Sequence, residues 1–239
     1  MVSTTPTQGN ITAALSTYTS FSSILSSRPN SAASHQYLLK SATRLLYHHT
    51  VTGPFRPSRV REYLTHFLTL FPQNTTFLTL YLYNESRLRI DNRVRSILLS
   101  TILTPQNDVL SSRIFAIKYE IDFGTIYSVR SAFEHAFSSE KSRGSPGLWR
   151  WYILFCLETP KFRGMAKEVW YRALKACPWS KQLYVMGFES LGMGEMEFGE
   201  LRSTWRVMGE KELRVHVDLE ERFEEIGDED KNGGRLNYR

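Results

Sequence analysis

The sequence predicts an all-α protein, an α-solenoid of about six helical hairpins with a C-terminal capping helix. Three observations lead there. First, five segments align without gaps, starting at Val60, Val94, Val129, Ala166 and Leu201, with starts 34, 35, 37 and 35 residues apart. Second, within each segment apolar groups recur at offsets 0, 3, 4 and 7 or 8, the stripe of a helix with one buried face. Third, an aromatic-rich helix lies between each pair of striped ones, and no stretch alternates as a strand would. Two helices per repeat of this length leave each hairpin with an uncovered face that only a stacked neighbour can hide.

The elements follow in chain order. Residues 1–10 read as a disordered tail. Residues 11–57 hold helices at 11–27 and 32–49, the second striped by Leu38, Leu39, Ala42, Leu45 and Leu46, and can form an irregular first repeat before Gly53, Pro54 and Pro57. Residues 58–226 form the array and its cap. The first striped helix buries Val60, Tyr63, Leu64, Phe67 and Leu68. The segment from Val94 is weaker, because polar Thr101 falls at offset 7. Val129, Ala132, Phe133, Ala136 and Phe137 form the third stripe, and Ala166, Val169, Trp170, Ala173 and Leu174 the fourth. In the intervening helices, Phe77, Leu80 and Tyr83 share a face, as do Trp149, Tyr152 and Phe155. Phe115 with Tyr119, and Tyr184 with Phe188, play the same part more loosely. Pro72 and Pro178 end the helices before them. Residues 211–226 read as an amphipathic cap with an acidic side, and 227–239 as a disordered tail.

Composition narrows the function. Hydrophobic residues make up 41% of the 239 and charged residues 23%, ordinary globular values. No apolar run is long enough for a membrane span. Two cysteines, Cys156 and Cys177, cannot build a disulfide framework and fit a reducing compartment. The acid-free first 61 residues resemble a transit peptide, but the first base is Arg28 and such peptides are Arg-rich, which leaves a cytosolic or nuclear protein. The net charge of +6 is uneven: residues 209–239 carry 10 acids against 6 bases, and residues 1–208 carry 24 bases against 14 acids. A basic body suits an acidic partner, either nucleic acid or a protein segment.

Catalysis is not expected. His35, His48, His49, His66, His135 and His216 are scattered, and none sits with carboxylates or cysteines at metal spacing. No phosphate-binding glycine loop or zinc-protease motif occurs. The cysteines read as small core hydrophobes, and no cofactor or metal is expected.

The aromatic helix ending in Glu85, Glu120, Glu158 or Glu189, followed by a helix that opens with a small or Val residue and then a base, resembles the HAT (half-a-TPR) repeat over residues 58–226. The blocks AKEVWYRALKACPWSKQLY (166–184) and EKELRVHVDLEE (210–221) resemble the C-terminal end of the nuclear family named from its requirement in nuclear RNA interference. The resemblance implies a nuclear protein of RNA surveillance, splicing and silencing, associated in full length with the exosome's RNA helicase. That helicase contact lies upstream of the array in the family, so the chain is expected to be a C-terminal fragment without it. A protein partner of the RNA-processing machinery is expected, self-association is open, and a membrane is not expected.

The candidate site residues are basic. Offset 1 of every striped helix is a base: Arg61, Arg95, Arg130, Lys167 and Arg202. A helix-ending Glu precedes three of them by 9 or 10 residues, which predicts pairs Glu85–Arg95, Glu120–Arg130 and Glu158–Lys167 across tight turns. Arg163, Lys167, Arg172, Trp179 and Lys181 are expected to edge a partner-binding surface. Trp179 can instead staple its turn, and Trp149, Trp170 and Trp205 are expected in the core, with Trp151 against the next hairpin. Arg87, Arg89, Arg93, Lys161 and Lys175 are the candidates for RNA contact, the alternative function. The aromatics fall mostly at core positions, which argues against stacking platforms for single strands.

Overall fold

The computed structural model describes residues 57–191 and 196–213, with isolated positions between 13 and 47. The terminal tails, most of the expected N-terminal helices and the cap at 214–226 lie outside the described residues. Every regular element among those described is helical. The chain divides into two units, Met1–Ala132 and Phe133–Arg239.

In the first unit, α1 (Pro57–Leu70), α2 (Thr75–Arg87), α3 (Asp91–Ile97) and α4 (Leu110–Phe123) lead into α5 (Ile126–Phe137), which runs across the division between the units. The α1 stripe falls where its spacing puts it, with Val60, Leu64, Phe67 and Leu68 buried and Phe67 stacked on Phe77 of α2 at 5.2 Å. Pro72 follows the end of α1. The Asn74 side chain then caps α2, accepting from the backbone N–H of Thr76 at 3.0 Å and Phe77 at 3.4 Å. The far end of α2 closes with Ile90 N–H donating to the Glu85 carbonyl and Arg89 N–H to that of Ser86. That closure needs a left-handed residue, and Arg89 takes it at φ 55°, a conformation that favours glycine. Besides its sequence neighbours, α2 touches α4.

Two expectations change in this unit. Tyr83 is 43% exposed, and the buried face of α2 is Phe77, Leu78, Leu80, Tyr81, Asn84 and Glu85. The face includes two polar residues, so a purely apolar reading set it off course. The weak second repeat also has a structural consequence. After α3 the backbone widens into a π-helical turn over Leu98–Ile102, closed by Leu103 N–H to the Leu98 carbonyl at 2.8 Å. A π-helical residue turns the chain less than an α-helical one, which brings Ile102 onto the stripe in place of Thr101. Ile102 is fully buried. The loop that follows is pinned by a buried pair, Arg113 Nε to Asp108 Oδ1 at 2.7 Å.

The second unit contains the end of α5, the short α6 (Glu140–Arg143), α7 (Pro146–Glu158), a 3₁₀ turn (Arg163–Met165), α8 (Ala166–Ala176), α9 (Lys181–Ser190) and α10 (Phe198–Glu210). Here α7 touches α8 and α9, and α9 touches α10. Phe137 stacks on Trp149 at 3.6 Å and Phe133 on Tyr152 at 4.7 Å. Trp151 is half-buried with its ring edge-on to Phe133 of the preceding helix at 5.4 Å. Trp149 and Trp170 are in the core as expected, and Trp205 is half-buried beside Phe188.

Trp170 ties α8 to α9. Its Nε1–H donates to the Leu183 carbonyl at 2.7 Å, and its ring lies against Gly187, where a Cβ would overlap indole atoms Cε2, Cζ2 and Nε1. Gly187→Ala must displace a fully buried ring, so it is expected to destabilise by about 1–3 kcal/mol. Gly147→Ala, at an open helical position of α7, is expected to be neutral or stabilising by up to ~1 kcal/mol. Urea unfolding followed by circular dichroism measures both, and equal midpoints for the two variants would contradict the notch.

Candidate functional site

Antiparallel neighbours bring the start of one helix beside the end of the next, and the structure uses this to pair its charges. Arg61 near the start of α1 meets Glu85 near the end of α2, Nε–Oε1 2.7 Å and Nη2–Oε2 3.0 Å. Arg95 of α3 meets Glu120 of α4 in the same bidentate way, at 2.8 and 3.1 Å. These partners lie 24 and 25 residues apart, down one helix and up its neighbour. The expected pairs Glu85–Arg95 and Glu120–Arg130 are therefore corrected: the class of interaction holds, but each Glu takes the base of the preceding striped helix. Across the turn itself, the base nearest Glu85 is Arg93, at 4.0 Å.

Glu85 is fully buried, and its charge is compensated completely enough to stay there. Besides Arg61 and Arg93, Asn84 Nδ2 donates to Oε1 at 3.0 Å while also reaching the Pro57 carbonyl at 3.3 Å. The hydrogen bond to Glu85 raises the Arg61 pKa, and burial together with the same carboxylate raises that of the Tyr81 hydroxyl. At Glu120, burial works to raise the carboxyl pKa, but hydrogen bonds from Arg95 and Ser128 outweigh it and hold the group below its ordinary value. Gly124 makes room for this arrangement, because a Cβ there would overlap the Glu120 carboxylate and the Ser128 hydroxyl. Neither Ser128 nor Gly124 was legible as part of a charge pair.

In the second unit Arg172 grips Glu134 at 2.9 and 2.8 Å and lies over the Trp149 ring at 5.6 Å, while the Tyr152 hydroxyl donates to Glu134 Oε1 at 2.8 Å. Lys167 binds Glu200 at 2.6 Å rather than Glu158, a second correction. Glu200 opens α10 and also accepts from its capping partner, the Glu197 N–H, at 3.1 Å. These contacts raise the Lys167 pKa and lower that of Glu200. Two of the five proposed partner-binding side chains, Lys167 and Arg172, are thus engaged within the fold. Lys161 and Arg163 are exposed at the start of α8, whereas Lys175, Trp179 and Lys181 gather at its other end, about 16 Å away at the helical rise. Trp179 is 62% exposed, so it projects from its turn instead of stapling it. In the first unit, Arg87, Arg89 and Arg93 are all exposed around the turn after α2.

Both cysteines are buried, and burial pushes the Cys177 thiol up, away from nucleophilic use. Among the described residues no group of three or more His, Cys, Asp or Glu could hold a metal, and no helix is long and apolar enough to cross a membrane. Sequence reasoning missed several exposed apolar side chains. Ile114, Ile121, Phe123, Ile126 and Tyr127, on α4 and the start of α5, are between 36 and 59% exposed. Ile114 and Ile121 are seven apart, a second stripe that could have been read beside the buried one.

These features define an all-helical protein that holds its cations partly in inter-helix pairs and partly on exposed turns. No family model and no solved structure matches the chain. It is similar to the nuclear exosome regulator NRDE2 of Mus musculus, 30% identical over 203 residues that cover 75% of this chain and 16% of that protein. It is likewise similar to the Homo sapiens NRDE2, 26% identical over 201 residues and the same shares, and to that of Dictyostelium discoideum, 29% identical over 174 residues, 67% of this chain and 13% of the relative. The chain thus spans about 16% of the length of the two mammalian relatives. The likenesses support the NRDE2 family, and the expected nuclear location agrees with the name all three carry.

Two outcomes test the charge pairs. Glu85→Ala leaves Arg61 without its buried partner and is expected to cost about 3–5 kcal/mol. Glu200→Ala, from a pair one-third exposed on each side, should move the urea midpoint far less. The second test is pH. Because the folded-state pKa of Glu120 is lowered, its stabilising contribution is complete above the unfolded-state value of about 4.3 and is lost as pH falls through the lower folded value. Below that unfolded-state value, wild type is expected to lose stability more steeply with falling pH than Glu120→Gln. Parallel curves in urea titrations would remove Glu120 from this role.

Proposed function

We propose that the chain is a HAT-type helical-repeat region of the NRDE2 family, an α-solenoid of about six hairpins that acts as a non-catalytic scaffold in nuclear exosome regulation. On this reading it holds a segment of a partner protein and serves RNA surveillance, with splicing and RNA-mediated silencing as the wider setting. The repeat reading draws support from the five buried stripe starts, Val60, Val94, Val129, Ala166 and Leu201, and from the second-neighbour contacts α2 to α4 and α7 to α9. The family reading draws support from the three nuclear exosome regulators. The non-catalytic reading draws support from the engagement of Glu85, Glu120, Glu134 and Glu200 with bases and from the burial of both thiols.

The observation that carries the scaffold is the exposed apolar face. Ile114 and Ile121 lie on one side of α4 with the Lys118–Asp122 pair, at 2.7 Å, beside them, and exposed Ile126 and Tyr127 follow at the start of α5. Exposed large apolar side chains beside a charged pair suit the apolar stripe of an amphipathic partner helix. Lys167 and Arg172 are engaged in ion pairs within the fold, so this reading assigns the protein contact to the exposed apolar residues of α4 and α5.

Co-purification from nuclear extract is the test. Wild-type chain is expected to recover nuclear exosome components. Ile121→Glu with Tyr127→Glu is expected to lower that recovery at least about tenfold, the scale of a hot-spot loss, in a variant whose circular dichroism shows it still folded. Undiminished recovery by the double variant rejects the surface, and absence of exosome components from the wild-type sample rejects the scaffold reading itself.

A further inference from the structure

We infer that the turn between α8 and α9 is a contact site for single-stranded nucleic acid, with a base stacked on Trp179 and phosphates held by the cations around it. Trp149 and Trp170 are buried in the core, whereas Trp179 leaves most of its surface in water, 62% of it, the highest value among the large apolar side chains of the described residues. The turn that carries it is stiff. Ser180 N–H donates to the Cys177 carbonyl at 3.1 Å, and Pro178 fixes the residue before the tryptophan. Buried Cys177 and Ser180 anchor the turn on either side. An aromatic held outward by a preset turn offers a stacking face with little ordering left to supply.

The cations come from two turns that meet. Cys177 Sγ lies 3.5 Å from the Arg143 carbonyl, the same carbonyl that accepts from Trp149 Nε1 at 2.8 Å. This seats the α6–α7 turn, with Lys141 and Arg143, against the α8–α9 turn, with Lys175 and Lys181. Arg143 Nε donates to the Phe137 carbonyl at 3.1 Å, which orients its guanidinium. Lys175 and Arg143 are exposed and Lys181 half-buried, and Glu140 is the acid on the same two turns. Four bases against one acid around a projecting indole combine the two parts of single-strand binding, backbone neutralisation and sequence-tolerant stacking. The sequence offered the cations but placed nearly all aromatics in the core, and Trp179 is where that objection fails. An acidic peptide would use the lysines without needing the flat face of the ring.

The site shares no residue with the apolar face of α4 and α5, so it stands or falls separately from the scaffold. Fluorescence anisotropy of the 239-residue chain with a labelled oligouridylate of roughly 12 nucleotides tests it. Wild type is expected to bind, with affinity falling as salt rises. Trp179→Ala is expected to weaken binding about tenfold, with Trp179→Phe recovering much of the loss, because a phenyl face still stacks. Lys175→Ala with Lys181→Ala is expected to shrink the salt slope by about 1.4, some 0.7 for each single-strand phosphate that a lysine no longer neutralises. Trp179 is exposed, so neither variant should move the unfolding midpoint, and Ile121→Glu with Tyr127→Glu should bind the probe as wild type does. A matching oligothymidylate that binds alike extends the site to DNA and supports the stacking mode. Equal affinity for duplex, an unchanged Kd for Trp179→Ala, or capture of a polyglutamate peptide in place of the oligonucleotide would each overturn the inference.

Discussion

A short helix with one oily stripe is marginal in water, since most of its stability must come from packing against something else. That constraint governs both units. The first stripe residue of each striped helix is buried, at Val60, Val94, Val129, Ala166 and Leu201, and each such helix packs beside a more aromatic one. The residue after the stripe start sits at the margin of the buried face. A long basic side chain there can lay its stem along the core and bring its charged end to the tip of the next antiparallel helix. Arg61 and Arg95 do this, and the glutamates they reach lie near the ends of α2 and α4.

The energetics assign different roles to the stripe and to the pair. Apolar burial supplies the stabilising free energy, whereas a buried guanidinium–carboxylate pair can be replaced by well-packed apolar groups at little loss. Once the carboxylate is inside, a shift of one residue between the two helices would strand it, because its hydrogen-bonding partners have fixed positions. Glu85 with Arg61, Asn84 and Arg93 is the strongest case, having no exposed surface through which water could substitute. The pairs therefore hold register between neighbouring helices whose stripes are chemically alike and could slip.

What the sequence disclosed and what it hid follow from the range of each interaction. Periodicity within one helix is local, so the stripes, the proline-ended helices and the buried cysteines could be read directly. Even the weak repeat was visible as Thr101, although the π-helical turn that compensates for it was not. Pairing between helices is set by how far the chain travels before it returns, so a spacing of 9 or 10 residues across a turn looked right while the fold used 24 or 25. Gly124 and Gly187 matter through atoms that a missing Cβ admits, and Glu134 through a base 38 residues away, none of which leaves a periodic trace. Tyr83 departs from its expected buried face for a related reason: aromatic character alone does not decide burial, and its ring is 43% exposed.

The same distinction changes the meaning of the net positive charge. Arg61, Arg95, Lys167 and Arg172 each meet a carboxylate, so these bases serve inter-helix pairing and the basic excess is carried by other side chains. The cations that remain on turns are concentrated instead of dispersed, and in the second unit they surround a ring that the core did not take. The first unit exposes apolar side chains flanked by an ion pair of its own. Hydrophobic contact is weakly sensitive to salt and phosphate contact strongly so, which means the two surfaces select different chemistry and respond to different conditions. The two proposed contacts therefore share no side chain, and a change of salt distinguishes one from the other.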